Sequence, residues 1–119
     1  MPDETLIEIR IFKGKNKQEP YLKWLKTIKD PSTKARIQYR LRRMEVEDNF
    51  GDARSLGQGV YELKFHFGPG YRIYFGSAGR YIVILLCGGD KKSQEADIKT
   101  AKALWKEYKE MEDASIKEI

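Results

Sequence analysis

The sequence predicts an α+β domain, and three observations carry the prediction. Residues 60–92, VYELKFHFGPGYRIYFGSAGRYIVILLCGGDKK, break into three apolar runs separated by glycine-rich turns, the signature of consecutive strands. Two stretches before it and one after it repeat their apolar residues at helical spacing. A separate alternating run opens the chain. Together these predict an N-terminal strand, a helical hairpin, a three-stranded antiparallel meander completing a four-stranded sheet, and a C-terminal helix, in a single domain spanning residues 1–119.

Residues 6–12, LIEIRIF, set Ile7, Ile9 and Ile11 against Glu8 and Arg10, a strand expected at or near a sheet edge. Asn16, with Glu19 three residues on, has the form of a capping box, and Pro20 fits only a first helical turn. Tyr21, Trp24, Leu25 and Ile28 then recur at helical spacing, and the helix is expected to end near Lys29. Asp30-Pro31 opens a second helix, running to about Asp48, with Asp as N-cap and Pro at the first position. Along it Ile37, Leu41 and Met44 form one stripe, and Arg36, Arg40 and Arg43 another. So short a connection predicts an antiparallel helical pair. Residues 49–59, with three glycines and little periodicity, read as loop.

In the first run of the meander, Tyr61, Leu63, Phe65 and Phe67 share one face while Glu62, Lys64 and His66 share the other. In the second, Tyr71, Ile73 and Phe75 oppose Arg72 and Tyr74. Residues 81–87, YIVILLC, are apolar without alternation, as in a central strand covered on both sides. Asp90 or Ser93 caps the last helix, whose apolar face is Ala101, Leu104, Trp105, Tyr108 and Met111. The helical hairpin is expected to cover the face of Tyr61, Leu63, Phe65, Ile73 and Phe75, leaving the opposite face as a partly open cleft.

The chain of 119 residues is 40% hydrophobic and 34% charged, which excludes intrinsic disorder and suits a compact core. No run approaches the roughly 18 apolar residues of a membrane span, and the acidic start, MPDETLIEIR, lacks the pattern of a secretion signal. A cytoplasmic protein with no membrane association is expected. One cysteine, Cys87, allows neither an internal disulfide nor a thiolate metal cluster. Net charge is +5, and residues 1–105 hold 20 basic against 13 acidic side chains, a balance compatible with a polyanionic partner.

The polar face of the meander gathers an acid, an amine, an imidazole, a guanidinium and a phenol: Glu62, Lys64, His66, Arg72 and Tyr74. Such a set can move protons and neutralise a phosphate. Beside it stand Lys91 and Lys92, at the start of the last helix, and the arginine stripe. The order of elements and three motifs, G-x-G-x-Y-E-L from Gly57, G-P-G-Y-R-x-Y-F from Gly68 and L-L-C-G-G-D-K from Leu85, resemble the RelE/ParE toxin superfamily. Within it the sequence is most similar to the HigB-like, phage Gp49-like addiction-module killer proteins.

The resemblance implies a RelE-like fold and the toxin of a type II toxin–antitoxin module. It further implies a metal-independent, cofactor-free endoribonuclease acting on mRNA at the ribosome and restrained by a helix-turn-helix antitoxin. Other members of the superfamily inhibit DNA gyrase instead, and a decayed toxin that only binds its antitoxin is a third reading. In the nuclease, Arg72 matches an arginine that grips phosphate, and Lys64 a strand lysine that clamps phosphate or serves as base. Glu62 stands where RelE has a lysine; it is either the general base or the ion-pair partner of Lys64 or Arg72. His66 is either an acid–base group or structural. Lys91 and Lys92 bind phosphate or lie in a solvated loop, and Tyr74 stacks a base or packs across strands. Arg36, Arg40 and Arg43 hold RNA phosphates or form the wet side of their helix. Asp97 replaces the tyrosine that RelE presents in its last helix.

Overall fold

The structure, a computed structural model, describes residues 7–47, 50–79 and 81–117, with side chains described to residue 112. Strands β1 (Glu8–Ile11), β2 (Ala53–Gly57), β3 (Val60–Lys64), β4 (Arg72–Ser77) and β5 (Ile82–Gly89) form one open sheet in the order β1-β5-β4-β3-β2. β1 runs parallel to β5, and the other neighbours are antiparallel. The sheet is therefore five-stranded and mixed, where a four-stranded, largely antiparallel sheet was expected.

The extra strand, β2, comes from the stretch read as loop. Its sequence ARSLG buries almost nothing: Arg54 and Ser55 are exposed, and Ala53 and Leu56 only half-buried. An edge strand with so little to hide carries no period-two signal. What makes it a strand is the turn after it, where Gly57, Gln58 and Gly59 take φ of 88°, 60° and 84° and fold the chain back onto β3.

Three helices cover the sheet: α1 (Pro20–Thr27), α2 (Pro31–Glu47) and α3 (Gln94–Lys117). Pro20 and Pro31 sit at the first helical positions as expected. The Asp30 carboxylate accepts from the Ser32 amide at 3.3 Å and the Thr33 hydroxyl at 2.9 Å, starting α2. No capping box forms at α1. Asn16 Oδ1 instead accepts the Gln18 amide at 2.9 Å in a turn before the helix, and α1 ends at Thr27. α2 is described to Glu47; Asp48, its expected end, and Leu6, the expected start of the first strand, lie outside the described residues.

Tyr21, Leu25 and Ile28 from the α1 region and Ile37 and Met44 from α2 pack on Leu63, Phe65, Ile73, Phe75, Val83 and Leu85. That is the face predicted for the helical pair. The opposite face is not an open cleft. α3 lays Ala101 and Trp105 across Val60, Tyr74, Ile84, Leu86 and Cys87. The physical requirement was visible in β5, whose unbroken apolar run needs cover on both sides, and α3 is the remaining amphipathic helix. A bulge opposite Tyr74 and Phe75 turns both Leu86 and Cys87 toward α3. Gly76 permits the helix to come this close, since a Cβ there would lie 2.2 Å from the Trp105 ring. β5 is covered on both faces and interior, but the central position expected for it belongs to β4. Gly88 and Gly89 close β5 as part of the strand and not as a turn.

Candidate functional site

The polar face of the β3–β4 hairpin treats the predicted residues differently along its length. Under the start of α3, Glu62 is 1% exposed and lies at the centre of a polar network. Its carboxylate accepts from Arg54 Nε at 2.9 Å, Gln94 Nε2 at 2.8 Å and the Tyr74 hydroxyl at 3.2 Å. Arg72 Nε stands 3.4 Å from Glu62 Oε2, close enough for charge attraction but outside hydrogen-bond geometry, while its Nη1 donates to the Gly70 carbonyl at 3.0 Å. Burial alone pushes the Glu62 carboxyl up. The hydrogen bonds from Arg54 and Gln94, the Arg54 charge and the Tyr74 bond outweigh it and hold the group below its ordinary value. A carboxylate saturated by donors is a poor proton acceptor, so Glu62 is built as an anchor for two guanidinium groups. Tyr74 is wholly buried; burial first, then the Glu62 charge, raises its hydroxyl well above the usual range. It packs and presents no ring to solvent. Arg72, expected to face solvent, is only 5% exposed.

Lys64 stands directly across from Arg72 in the strand register, so both side chains leave the same face of the hairpin. Lys64 is the last residue of β3, where the sheet ends, and it also lines an open groove of about 520 Å³ against α2. The other walls are Ser32, Ala35, Arg36, Tyr39 and Arg40 from one face of α2, with Asp52 and residues 65–67 opposite. His66 is exposed, and its Nε2 pairs with Asp52 Oδ2, leaving Nδ1 turned away from the carboxylate. The Arg36 guanidinium lies 3.8 Å from the centre of the Phe67 ring, a cation–π contact that fixes its position. Arg40 is half-buried; burial, then the nearby Arg43, lowers its pKa, and Asp52 and Glu47 act the other way.

The groove thus joins Lys64 and His66 of the hairpin's polar face to Arg36 and Arg40 of the arginine stripe, two groups predicted separately. Arg43 does not line it. Its Nη2 pairs with Glu47 at 3.2 Å on the same helix. Lys91 and Lys92 are exposed in the loop before α3. The Lys91 amide donates to the Pro69 carbonyl at 3.3 Å, which places Lys91 beside the β3–β4 turn and Arg72. Asp90 Oδ1 accepts the Ser93 amide at 3.1 Å and Ser93 Oγ donates to Asp97 Oδ2 at 2.5 Å, so two carboxylates already occupy the α3 N-terminus. Four participants escaped the sequence reading: Asp52 and Arg54, hidden in the stretch read as loop, Gln94, two strands along the chain from its carboxylate, and Tyr39. Only Tyr39 had a local signal, an aromatic off the apolar stripe of α2. Among the described residues, no three His, Cys, Asp or Glu side chains converge as metal ligands, and no helix is long and apolar enough to cross a membrane.

Residues 23–111 match the family described as phage derived protein Gp49-like. The chain belongs to this Gp49-like family. The family is associated with toxin–antitoxin modules. An uncharacterized protein of Haemophilus influenzae is 45% identical over 84 residues, which are 71% of this chain and 84% of that relative. The Gp49-like match takes in α2, all of the sheet but β1 and most of α3, and so contains both the buried network and the groove.

Proposed function

We propose that this Gp49-like protein is the toxin of a type II toxin–antitoxin module: a cytoplasmic, metal-independent endoribonuclease that cleaves mRNA at the ribosome. A separately encoded antitoxin, a helix-turn-helix protein, restrains it by occupying the cationic groove. The observation that carries this reading is the place of Lys64, opposite Arg72 in register and in one open groove with His66, Arg36 and Arg40. His66 Nδ1 takes the proton of a ribose 2′-hydroxyl, with Asp52 stabilising the imidazolium that results. The 2′-oxygen attacks the adjacent phosphorus, and the bond to the 5′-oxygen breaks. Lys64 neutralises the charge gathering on the phosphate and gives its proton to the departing 5′-oxygen. A 2′,3′-cyclic phosphate and a 5′-hydroxyl result, and exchange with water restores both groups. Arg72, held by Glu62, adds positive potential from beneath, and Lys91 extends it along the turn.

The test is to map RNA ends after brief expression, with and without active translation. Codon-phased cuts that vanish when translation stops are expected in the wild type. Lys64→Ala and His66→Ala should each lower cleavage by about 10²-fold or more while keeping the fold. Undiminished cutting in both variants would overturn the assignment. Growth arrest with intact RNA, together with inhibition of DNA supercoiling by the purified protein, would favour the gyrase-inhibitor reading instead.

A further inference from the structure

Tyr39 is 66% exposed and belongs to neither core of the molecule. The described residues expose two other large apolar side chains, Ile11 and Tyr81, and neither lines the groove of Lys64 and His66. An aromatic ring left in water is unused apolar surface. A helical side chain leans over the turn N-terminal to it. On this face that turn carries the short Ala35, with Ser32 a further turn back, and the long Arg36 side chain is directed onto the Phe67 ring, so the Tyr39 ring is left uncovered. The surroundings select what can cover it. Arg36, Arg40 and Lys64 line the same groove, and the one carboxylate among its described lining residues, Asp52, is paired with His66. A ligand that brings a flat π surface together with negative charge meets both requirements, as an unpaired nucleotide does.

We propose that Tyr39 is the stacking platform for an unpaired RNA base beside the phosphate held at Lys64, with Arg36 and Arg40 taking the flanking phosphates. This assignment rests on the nuclease reading and extends it to how the strand is gripped. Tyr74, the tyrosine on the hairpin's polar face, is buried and unavailable, so the role passes to the helix across the groove. Arg36 is suited to its part because Phe67 already holds its guanidinium in place. Every base has a π face, so the platform positions the strand with little preference among sequences.

The measurement is the affinity of the purified full chain for a single-stranded 2′-O-methyl oligonucleotide, which cannot be cleaved, by fluorescence anisotropy at fixed salt. Tyr39→Ala should weaken binding by roughly tenfold or more, the size of a lost base–aromatic stack, while Tyr39→Phe and Tyr39→Trp should stay within about twofold of the wild type. An abasic oligonucleotide of equal length should bind the wild type as poorly as the normal one binds Tyr39→Ala. That variant should not distinguish the two oligonucleotides. Unchanged affinity in Tyr39→Ala would overturn the platform, and if antitoxin capture were lost in the same variant, the ring would be a protein-docking residue instead. The two readings separate cleanly. Loss of cleavage in Lys64→Ala with normal binding by Tyr39→Ala removes the platform and keeps the nuclease, whereas undiminished cleavage in both Lys64→Ala and His66→Ala removes the nuclease.

Discussion

Glu62, in β3, and Asp52, just before β2, are both carboxylates beside basic side chains, yet they live in opposite solvents. Glu62 is 1% exposed and has three hydrogen-bond donors and a second guanidinium around it. The Asp52 side chain is 58% exposed and pairs with an imidazole that is itself 69% exposed. Buried charge must be fully partnered or it is too costly to keep. Once partnered, it is fixed in one protonation state and one geometry. Charge at an open groove keeps access to water and substrate, so it can exchange protons. The same residue types therefore make a support in one region and a working surface in the other, and solvent access decides which.

Removing the anchor should produce the largest effect. Glu62→Leu leaves Arg72 buried without its counter-charge, so urea unfolding should show a loss of about 3–5 kcal/mol, the range for breaking a buried ion pair from one side. Asp52→Ala, at the open groove, should change stability by about 1 kcal/mol or less. Restoring apolar balance with Glu62→Leu plus Arg72→Leu should recover much of the loss. Equal small effects from Glu62→Leu and Asp52→Ala would erase the distinction between the two regions.

The sequence was informative wherever burial repeats. The inward stripe of α2, the apolar face of the hairpin and the two-sided cover of β5 all follow from periods that a packed core imposes. It also placed Lys64 and Arg72 on one face, and their register bears this out. It did not reveal that this face is dry at Glu62 and Arg72 and wet at Lys64, because alternation assigns a side and not a cover. The cover comes from α3, and Gln94 reaches Glu62 across 32 residues of chain. β2 escaped notice because an edge strand of ARSLG has little to bury. Asp52 and Arg54 escaped with it, although one pairs with His66 and the other with Glu62.

Acid should sharpen the contrast by a smaller amount. Within the fold, Glu62 sits below its ordinary carboxyl value of 4.5, since its donors outweigh burial. The native state then holds fewer protons on this group than the unfolded chain does. Its stabilising contribution is complete above that ordinary value and is lost as pH falls below it through the depressed folded value. Urea midpoints followed downward through this window should drop more steeply for the wild type than for Glu62→Gln, which has nothing to titrate. Identical slopes would mean that the network does not hold the charged form.

The smallest effect is expected where the arginine stripe of α2 divides. Arg36, Arg40 and Arg43 form one row in sequence, but only the first two line the groove. Arg43 pairs with Glu47 one turn along the helix, and both side chains are substantially exposed, 41% and 50%. Such a pair contributes about 0.3–0.5 kcal/mol at most. Arg43→Ala should therefore leave both stability and RNA affinity nearly unchanged. Arg36→Ala, by contrast, should lower RNA affinity and reduce the dependence of log affinity on log salt by about one unit, because one phosphate contact and its released counterion disappear. If Arg43→Ala weakened RNA binding and reduced the salt dependence as much as Arg36→Ala, the binding surface would extend around α2 beyond the groove, and the open region would be defined by the charge of the whole helix face.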